Sequence, residues 1–273
     1  MNLLFVAYKP TDTSSNRFLS SLKRKYDNKK AGFTGTLDPF AKGVLIIGFG
    51  VYTKLFRFLD KTPKSYRATL WLGANSDSLD TEMIENVDII KEITEEEVLK
   101  CIKSLEGELE YEPPIFSAKR INGKRAYDLA RAGVEFSLNK INSTIYEAKL
   151  IHYRHPFVTF ETTVSEGTYV RSLGRIIAQN LGVEHGSLSS LERLNEGSFR
   201  YDNEKPLDIK KSLNIPMNYY LGDEDNIRYG RVLALEDFKI KENGTYWLDN
   251  GDNISVIRLI DNQVKYELGR IPC

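Results

Sequence analysis

Residues 32–50 have the sequence GFTGTLDPFAKGVLIIGFG, which joins a turn of small residues to an apolar run. Gly35 frees the backbone, while Pro39 fixes its own φ and pushes Asp38 towards extended geometry. The apolar run, Val44 to Ile47, predicts a buried strand. The pattern therefore predicts a carboxylate held by a rigid loop at a sheet edge, although Asp-Pro after glycine is by itself more often a simple turn.

The flanking segments predict both strands and helices. A short apolar run predicts a strand over residues 3–8, and alternating apolar residues predict strands over residues 66–72 and 157–164. Capping signals predict helices that start at Ser14 or Ser15, at Thr94 and near Tyr169. The second of these helices begins with a Thr94–Glu97 capping box, and Gly107 is expected to end it. The acidic residues 106–112 are expected to be exposed. Because no regular βαβ rhythm appears, the pattern favours an α+β fold with a largely antiparallel mixed sheet and flanking helices.

A composition change near Glu204-Lys205-Pro206 predicts a domain boundary. Residues 1–204 would form the main domain, with a basic insertion over residues 115–140. Residues 205–273 would form a small β-rich domain, because three short strand patterns (245–248, 254–260 and 264–268) are separated by turns rich in Asp, Asn and Gly.

The composition argues against a metal site, a disulfide framework and a membrane-spanning segment. The two cysteines lie at opposite ends of the chain and the three histidines lack ligand partners at suitable spacing (Cys101, Cys273, His152, His155, His185). No run of about 18 uncharged apolar residues occurs, and the start does not resemble a signal peptide. A reduced cytoplasmic setting and catalysis without metal or cofactor are therefore expected.

The net charge of zero conceals a strong segregation of charge. Residues 1–67 carry a net charge of +9, whereas residues 68–112 carry −10. The basic side chains concentrate around Asp38 and in the middle of the chain, so a polyanion could bind one face locally. The alternative is that these charges are merely solvated helix faces.

Several motifs in residues 3–200 resemble the TruB family of tRNA pseudouridine synthases. GTLDPFAKGVL (35–45) resembles the catalytic-aspartate motif of that family, and KSY (64–66) resembles its K-x-Y motif. PPIFSAKRINGKRAYDLAR (113–131) is similar to the family's insertion, and GTYVRSL (167–173) to its GTYIRSL block. The last seventy residues match only loosely and look like a reduced PUA-type RNA-binding domain.

The resemblance implies a stand-alone, monomeric enzyme that isomerises uridine to pseudouridine at position 55 in the T-loop of tRNA, after the base flips out. It assigns Asp38 as the nucleophile, Tyr66 as the aromatic residue against the target base, and Arg171 as the partner of the aspartate. Without the resemblance, Tyr66 would more often be a cross-strand packing residue and Arg171 a surface or ion-pair residue.

The expected RNA contacts combine the resemblance with the basic pattern: Phe33, Lys9, Lys64, Lys119, Arg120, Lys124, Arg125, Arg131 and Leu191. Phe33 stands where the family usually has histidine. It is expected to fill the space left by the flipped base by stacking, although it could instead pack beneath the Asp38 loop.

Two other functions remain open from the sequence. One is a non-catalytic tRNA-binding or tRNA-folding module, which the presence of Asp38, Tyr66 and Arg171 argues against. The other is a related pseudouridine synthase that works with guide RNA, which the short C-terminal segment and the lack of a basic tail argue against.

Overall fold

A computed structural model describes residues 1–117, 119–121 and 123–273 of the chain. The strands are β1 (Leu3–Lys9), β2 (Ala31–Phe33), β3 (Lys42–Phe49), β4 (Lys64–Leu72), β5 (Ala74–Ser76), β6 (Ile84–Val87), β7 (Gly107–Tyr111), β8 (Arg120–Ile121), β9 (Lys124–Arg125), β10 (Ile141–Arg154), β11 (Phe157–Val164), β12 (Gly186–Glu196), β13 (Gly244–Asp249), β14 (Asn253–Ile260) and β15 (Gln263–Pro272). The helices are α1 (Ser15–Lys25), α2 (Glu95–Lys103), α3 (Ala126–Arg131), α4 (Val170–Asn180), α5 (Ile209–Ser212) and α6 (Glu224–Tyr229), with 3-10 segments at Gly50–Phe58 and Leu235–Asp237.

The described residues form one central sheet with the strand order β1-β3-β12-β4-β11-β10-β7, and β2 pairs with β3 at its side. Within these residues every neighbouring pair is antiparallel except β3 and β12. The expected α+β fold with a largely antiparallel mixed sheet is therefore confirmed. The sheet brings the residues after β2, the start of β4 and the end of β12 to one place, although they are far apart in the sequence.

Strands β1 and β3 are buried on both faces, which explains their nearly continuous apolar sequences. Phe5 and Leu45 belong to a core shared with α1, α2 and α4, whereas Val6 and Ile46 face a second core. That second core includes Val256 of β14, so the C-terminal strands pack against the main sheet. The boundary near residue 204 remains a prediction.

The capping signals at the starts of α1 and α2 are confirmed. The side chain of Ser14 accepts a hydrogen bond from the Arg17 amide, and Thr94 and Glu97 form a reciprocal capping box at the start of α2. Helix α2 ends at Lys103, however, and Gly107 begins strand β7 instead of ending the helix. The acidic segment is thus an edge strand that pairs with β10, not simply an exposed stretch.

Strands β10 and β12 were not predicted from the sequence pattern. Polar residues interrupt both, and β12 contains two charged side chains that the fold buries, Arg193 and Glu196. Hydrophobic periodicity cannot identify such a strand, because its buried charges are satisfied by distant partners. Among the helices of the described ranges, none is long and apolar enough to cross a membrane.

Candidate active site

A cavity of about 320 Å³ lies where the Asp38 loop, β4, β12 and the start of α4 meet. It is lined by the three predicted catalytic residues and by two predicted RNA contacts: Asp38, Tyr66, Arg171, Lys64 and Leu191. These five side chains come from four separate segments, so the tertiary structure brings together the residues that the sequence motifs indicated.

The loop that carries Asp38 is attached to the first turn of α1. The Ser15 hydroxyl donates a hydrogen bond of 2.9 Å to the Leu37 carbonyl and accepts one of 3.0 Å from the Leu37 amide. The Asp38 carbonyl accepts a bond of 3.1 Å from the amide of Ala41, which closes the turn around Pro39. The backbone on both sides of Asp38 is therefore fixed before any ligand binds.

Lys9 is hydrogen-bonded to this loop through the Pro39 carbonyl. Its ammonium is fully buried and donates hydrogen bonds to the carbonyls of Pro10 at 2.9 Å, Thr13 at 2.7 Å and Pro39 at 3.3 Å. Burial lowers its pKa to about 8, although Asp38 opposes the shift. The ammonium is thus enclosed by protein carbonyls, and an RNA contact of Lys9 stays a prediction.

Arg171 is held on several sides at the floor of the cavity. Its Nε lies 2.9 Å from Oδ2 of Asp38, as an ion pair in which the N–H does not point squarely at the carboxylate. Its other nitrogens donate to the carbonyl of Ser78 at 2.6 Å and of Phe116 at 2.9 Å, and Nη1 lies 3.4 Å from Asp80. The guanidinium thus faces two carboxylates.

Asp80 was not singled out from the sequence. It lies in the acidic NSDSLD segment, where its carboxylate accepts hydrogen bonds from the Ser78 hydroxyl at 2.5 Å and the Glu82 amide at 2.9 Å. Both contacts aim Asp80 at Arg171. No local pattern marked it, because its proximity to Arg171 depends on a pairing 91 residues apart.

The electrostatics of Asp38 combine opposing effects. Burial raises the pKa of its carboxyl, Arg171 lowers it, Asp80 raises it and Lys9 lowers it. The side chain nevertheless keeps 35% of its surface accessible, because it opens into the cavity. Asp38 is therefore reachable by a ligand, and the Arg171 guanidinium is the main group that favours its ionised form.

Tyr66 lies on β4, directly opposite Arg193 of β12 in the strand register. Burial raises the pKa of its phenol, and the Arg193 guanidinium opposes that shift. Lys64, two residues earlier, is on the same face and also lines the cavity, with Nζ 3.5 Å from Glu196 and 3.9 Å from the exposed carboxylate of Glu166. This wall offers an aromatic ring and a cation side by side.

The basic insertion forms the β8–β9 hairpin and α3 beside the cavity. Three of its predicted RNA contacts, Arg120, Lys124 and Arg125, are exposed, and Lys119 is half-buried. Arg131 is exposed, lies over the ring of Tyr127 at 4.4 Å and approaches Glu82 at 3.8 Å. Ala118 and Asn122 lie outside the described residues. The insertion meets the cavity through Ser117 and the Phe116 carbonyl.

Limited trypsin digestion of the free protein should cut first within residues 115–140, and bound tRNA should protect these sites. Exposed basic side chains on a short hairpin and a six-residue helix favour local opening. Cleavage after exposed Arg200, which precedes Tyr201, is the internal reference. Equal resistance of the insertion with and without tRNA would contradict the expected flap.

Phe33 is placed away from the cavity wall. It belongs to β2, pairs with Ile47 of β3 and packs, half-buried, against the main core. This position suits the packing alternative. Its entry into a space vacated by a flipped base stays a prediction.

Within the described ranges, no three His, Cys, Asp or Glu side chains are grouped so that they could hold a metal ion.

Comparison with known proteins agrees with this geometry. Residues 23–170 match the family described as "TruB family pseudouridylate synthase (N terminal domain)". The fold is shared with the structure titled "Crystal Structure of a Cbf5-Nop10-Gar1 Complex", with a TM-score of 0.71 and 19% identity over 99% of this chain and 85% of that one. The fold and cavity thus define a pseudouridine synthase.

Full-length relatives narrow the class further. The tRNA pseudouridine synthase B of Sulfurimonas denitrificans is 73% identical over 273 residues, covering 100% of both chains. The protein of the same name from Campylobacter concisus is 50% identical over 271 residues, covering 99% of both. The chain belongs to the TruB family of pseudouridylate synthases, as its motifs indicated.

Proposed function

We propose that this enzyme isomerises uridine to pseudouridine at position 55 in the T-loop of tRNA, with Asp38 as the essential group. The observation that carries the proposal is the Asp38–Arg171 ion pair at the floor of a cavity that Tyr66 also lines. Relatives as similar as 73% over their full length are named tRNA pseudouridine synthase B, which supports tRNA as the substrate.

The reaction breaks the bond between C1′ and N1 of uridine and forms one between C1′ and C5. The proton on C5 is lost and N1 gains one, so the atoms balance without an external reactant. A carboxylate can act as a nucleophile or stabilise positive charge on the sugar. Arg171 fixes the direction of Asp38 and favours its ionised form.

The target base has to leave its stack to reach Asp38, because the carboxylate lies in a cavity of only about 320 Å³. Tyr66 is positioned to stack on the extruded base, and Leu191 contributes an apolar wall. The Ser117 hydroxyl is buried at the same wall without a hydrogen-bond partner among the described residues, so it is available to a polar edge of uracil.

The RNA backbone is expected to contact mainly the basic insertion, whereas Lys64, which is buried beside Glu196, would meet the RNA only inside the cavity. Arg120, Lys124, Arg125 and Arg131 are exposed, and exposed cations that neutralise phosphates make affinity depend on salt. Residues 205–273 would add a PUA-like RNA-binding domain, since their three strands form a sheet of their own.

Mapping pseudouridine in unmodified tRNA incubated with the purified protein alone tests this function. We expect one modified site, at position 55, and no effect of EDTA. Modification elsewhere would contradict the position, and inhibition by EDTA that added metal reverses would contradict the absence of a metal. Tight tRNA binding without product would favour the non-catalytic binding module. A requirement for an added RNA would favour a guide-dependent enzyme.

A further inference from the structure

A buried ionic cluster lies behind the cavity and consists of Thr34, Lys64, Arg193 and Glu196. The Glu196 carboxylate is fully buried at the end of β12 and has a partner on each side. The Thr34 hydroxyl lies 3.0 and 2.9 Å from its two oxygens, Arg193 Nη2 lies at 2.9 Å and Lys64 Nζ at 3.5 Å. Glu196 thus holds two cations and one hydroxyl.

The cluster supports the turn that leads to Asp38. Arg193 donates from Nη2 to the Gly35 carbonyl at 2.9 Å and from Nε to the Val44 carbonyl at 2.8 Å. Gly35 has φ of +48°, and a Cβ at that position would lie 3.1 Å from Arg193 Nη1 and 3.1 Å from Lys64 Nζ. The turn therefore rests directly on the two cations that Glu196 holds.

The cluster also reaches the aromatic wall. Arg193 is the cross-strand neighbour of Tyr66. Burial raises the pKa of the Tyr66 phenol, and the Arg193 guanidinium opposes this rise. Lys64 lies on the same strand face as Tyr66, two residues away. A displacement of Arg193 would consequently shift both the Gly35 turn and the surroundings of Tyr66.

Stability alone is a weak explanation for this cluster. Removing charges from water is costly, and a buried ion pair often contributes no more than an apolar replacement would. Here two cations share one buried carboxylate, with exposed Glu166 only 3.9 Å from Lys64. Thr34 and Glu196 do not line the cavity, whereas the two cations do. The anion therefore acts through its partners.

We propose that Glu196 is a positioning residue for the isomerisation. Through Arg193 and Lys64 it fixes the Gly35 turn, and hence Asp38, relative to Tyr66. Thr34 orients the Glu196 carboxylate. This inference rests on the proposed function, and it assigns to two residues outside the cavity an effect on the chemical step with little effect on RNA binding.

The test measures single-turnover rates at saturating tRNA, together with the tRNA Kd. Glu196→Gln keeps the shape but removes the charge, and should lower the rate by about 10- to 100-fold, since small misplacements of reacting groups are costly. Its Kd should stay within about threefold, because phosphate contacts dominate affinity. Thr34→Val, which removes only the hydroxyl, should lower the rate by about threefold or more, and Thr34→Ser should restore it.

Ile257→Val in the separate C-terminal core is the control for a general loss of stability. Its rate should equal that of the wild type even where its melting temperature falls as far as that of Glu196→Gln. A Glu196→Gln rate within twofold of the wild type, or Thr34→Ser as slow as Thr34→Val, would overturn the proposal. If Glu196→Gln does not fold, the Thr34 pair decides. Absence of product with the wild type would instead overturn the proposed function.

Discussion

Asp38→Asn should lower the rate of pseudouridine formation by about 10³-fold or more, as expected when the group that carries the chemistry is removed. Asparagine keeps the size of the side chain but cannot act as an anionic nucleophile or stabilise charge on the sugar. The ion pair with Arg171, which lies 2.9 Å away, is lost at the same time. Affinity for tRNA should stay within about tenfold, because it depends mainly on phosphate contacts.

Tritium release from tRNA labelled at C5 of uridine measures the rate, and filter binding measures the affinity. Asp27→Asn is a matched control, because Asp27 is exposed beyond the end of α1 with φ of 43°, a conformation that asparagine tolerates. Its rate should equal that of the wild type. Substantial turnover by Asp38→Asn would refute the assignment of Asp38.

Arg171→Met should lower the rate by about 10²-fold or more, because a preorganised charged group in a recessed site is removed. The Asp38 and Asp80 carboxylates would lose the guanidinium that lies between them. Arg171→Lys should recover only a small part of the rate, since an ammonium cannot reproduce contacts with Asp38, Asp80 and the Ser78 and Phe116 carbonyls together.

The pH dependence gives a second readout for Arg171. Arg171 lowers the pKa of Asp38, whereas burial and Asp80 raise it. Its removal should therefore move the acid limb of the rate profile to higher pH. In Arg171→Met the folded-state pKa of Asp38 is raised, so ionised Asp38 destabilises the fold. The free energy of unfolding should therefore fall furthest below that of the wild type at neutral pH, and this difference should shrink as the pH falls and Asp38 becomes protonated.

Arg175→Met is the matched control, because Arg175 lies one turn later on α4 and donates to the Glu112 carbonyl away from the cavity. It should leave the rate and the acid limb unchanged. An acid limb that stays in place in Arg171→Met would show that this guanidinium does not control the ionisation of Asp38.

Signals confined to a few neighbouring residues predicted the local structure. The Thr94–Glu97 capping box and the alternation in β4 and β11 depend on contacts within one helical turn or one strand, so they are visible in the sequence. The motif resemblance identified the TruB family and pointed to Asp38, Tyr66 and Arg171. These residues line one cavity, which no single motif could have indicated by itself.

Other features required the tertiary structure, because they depend on partners distant in the sequence. Only the fold shows that three backbone carbonyls enclose the ammonium of Lys9, an expected RNA contact. Likewise, only the fold shows that Phe33, an expected RNA contact, packs half-buried against the main core.

By itself, the sequence determined the family, the α+β class and three candidate catalytic residues, since each depends on short contiguous patterns. Only the tertiary structure decided that β12 is a strand, that Asp80 faces Arg171, and that Glu196 is buried between Lys64 and Arg193. The physical reason is that a buried charge is tolerated only where distant chain segments supply its counter-charges and hydrogen bonds. A local sequence pattern does not show which distant residues those partners are.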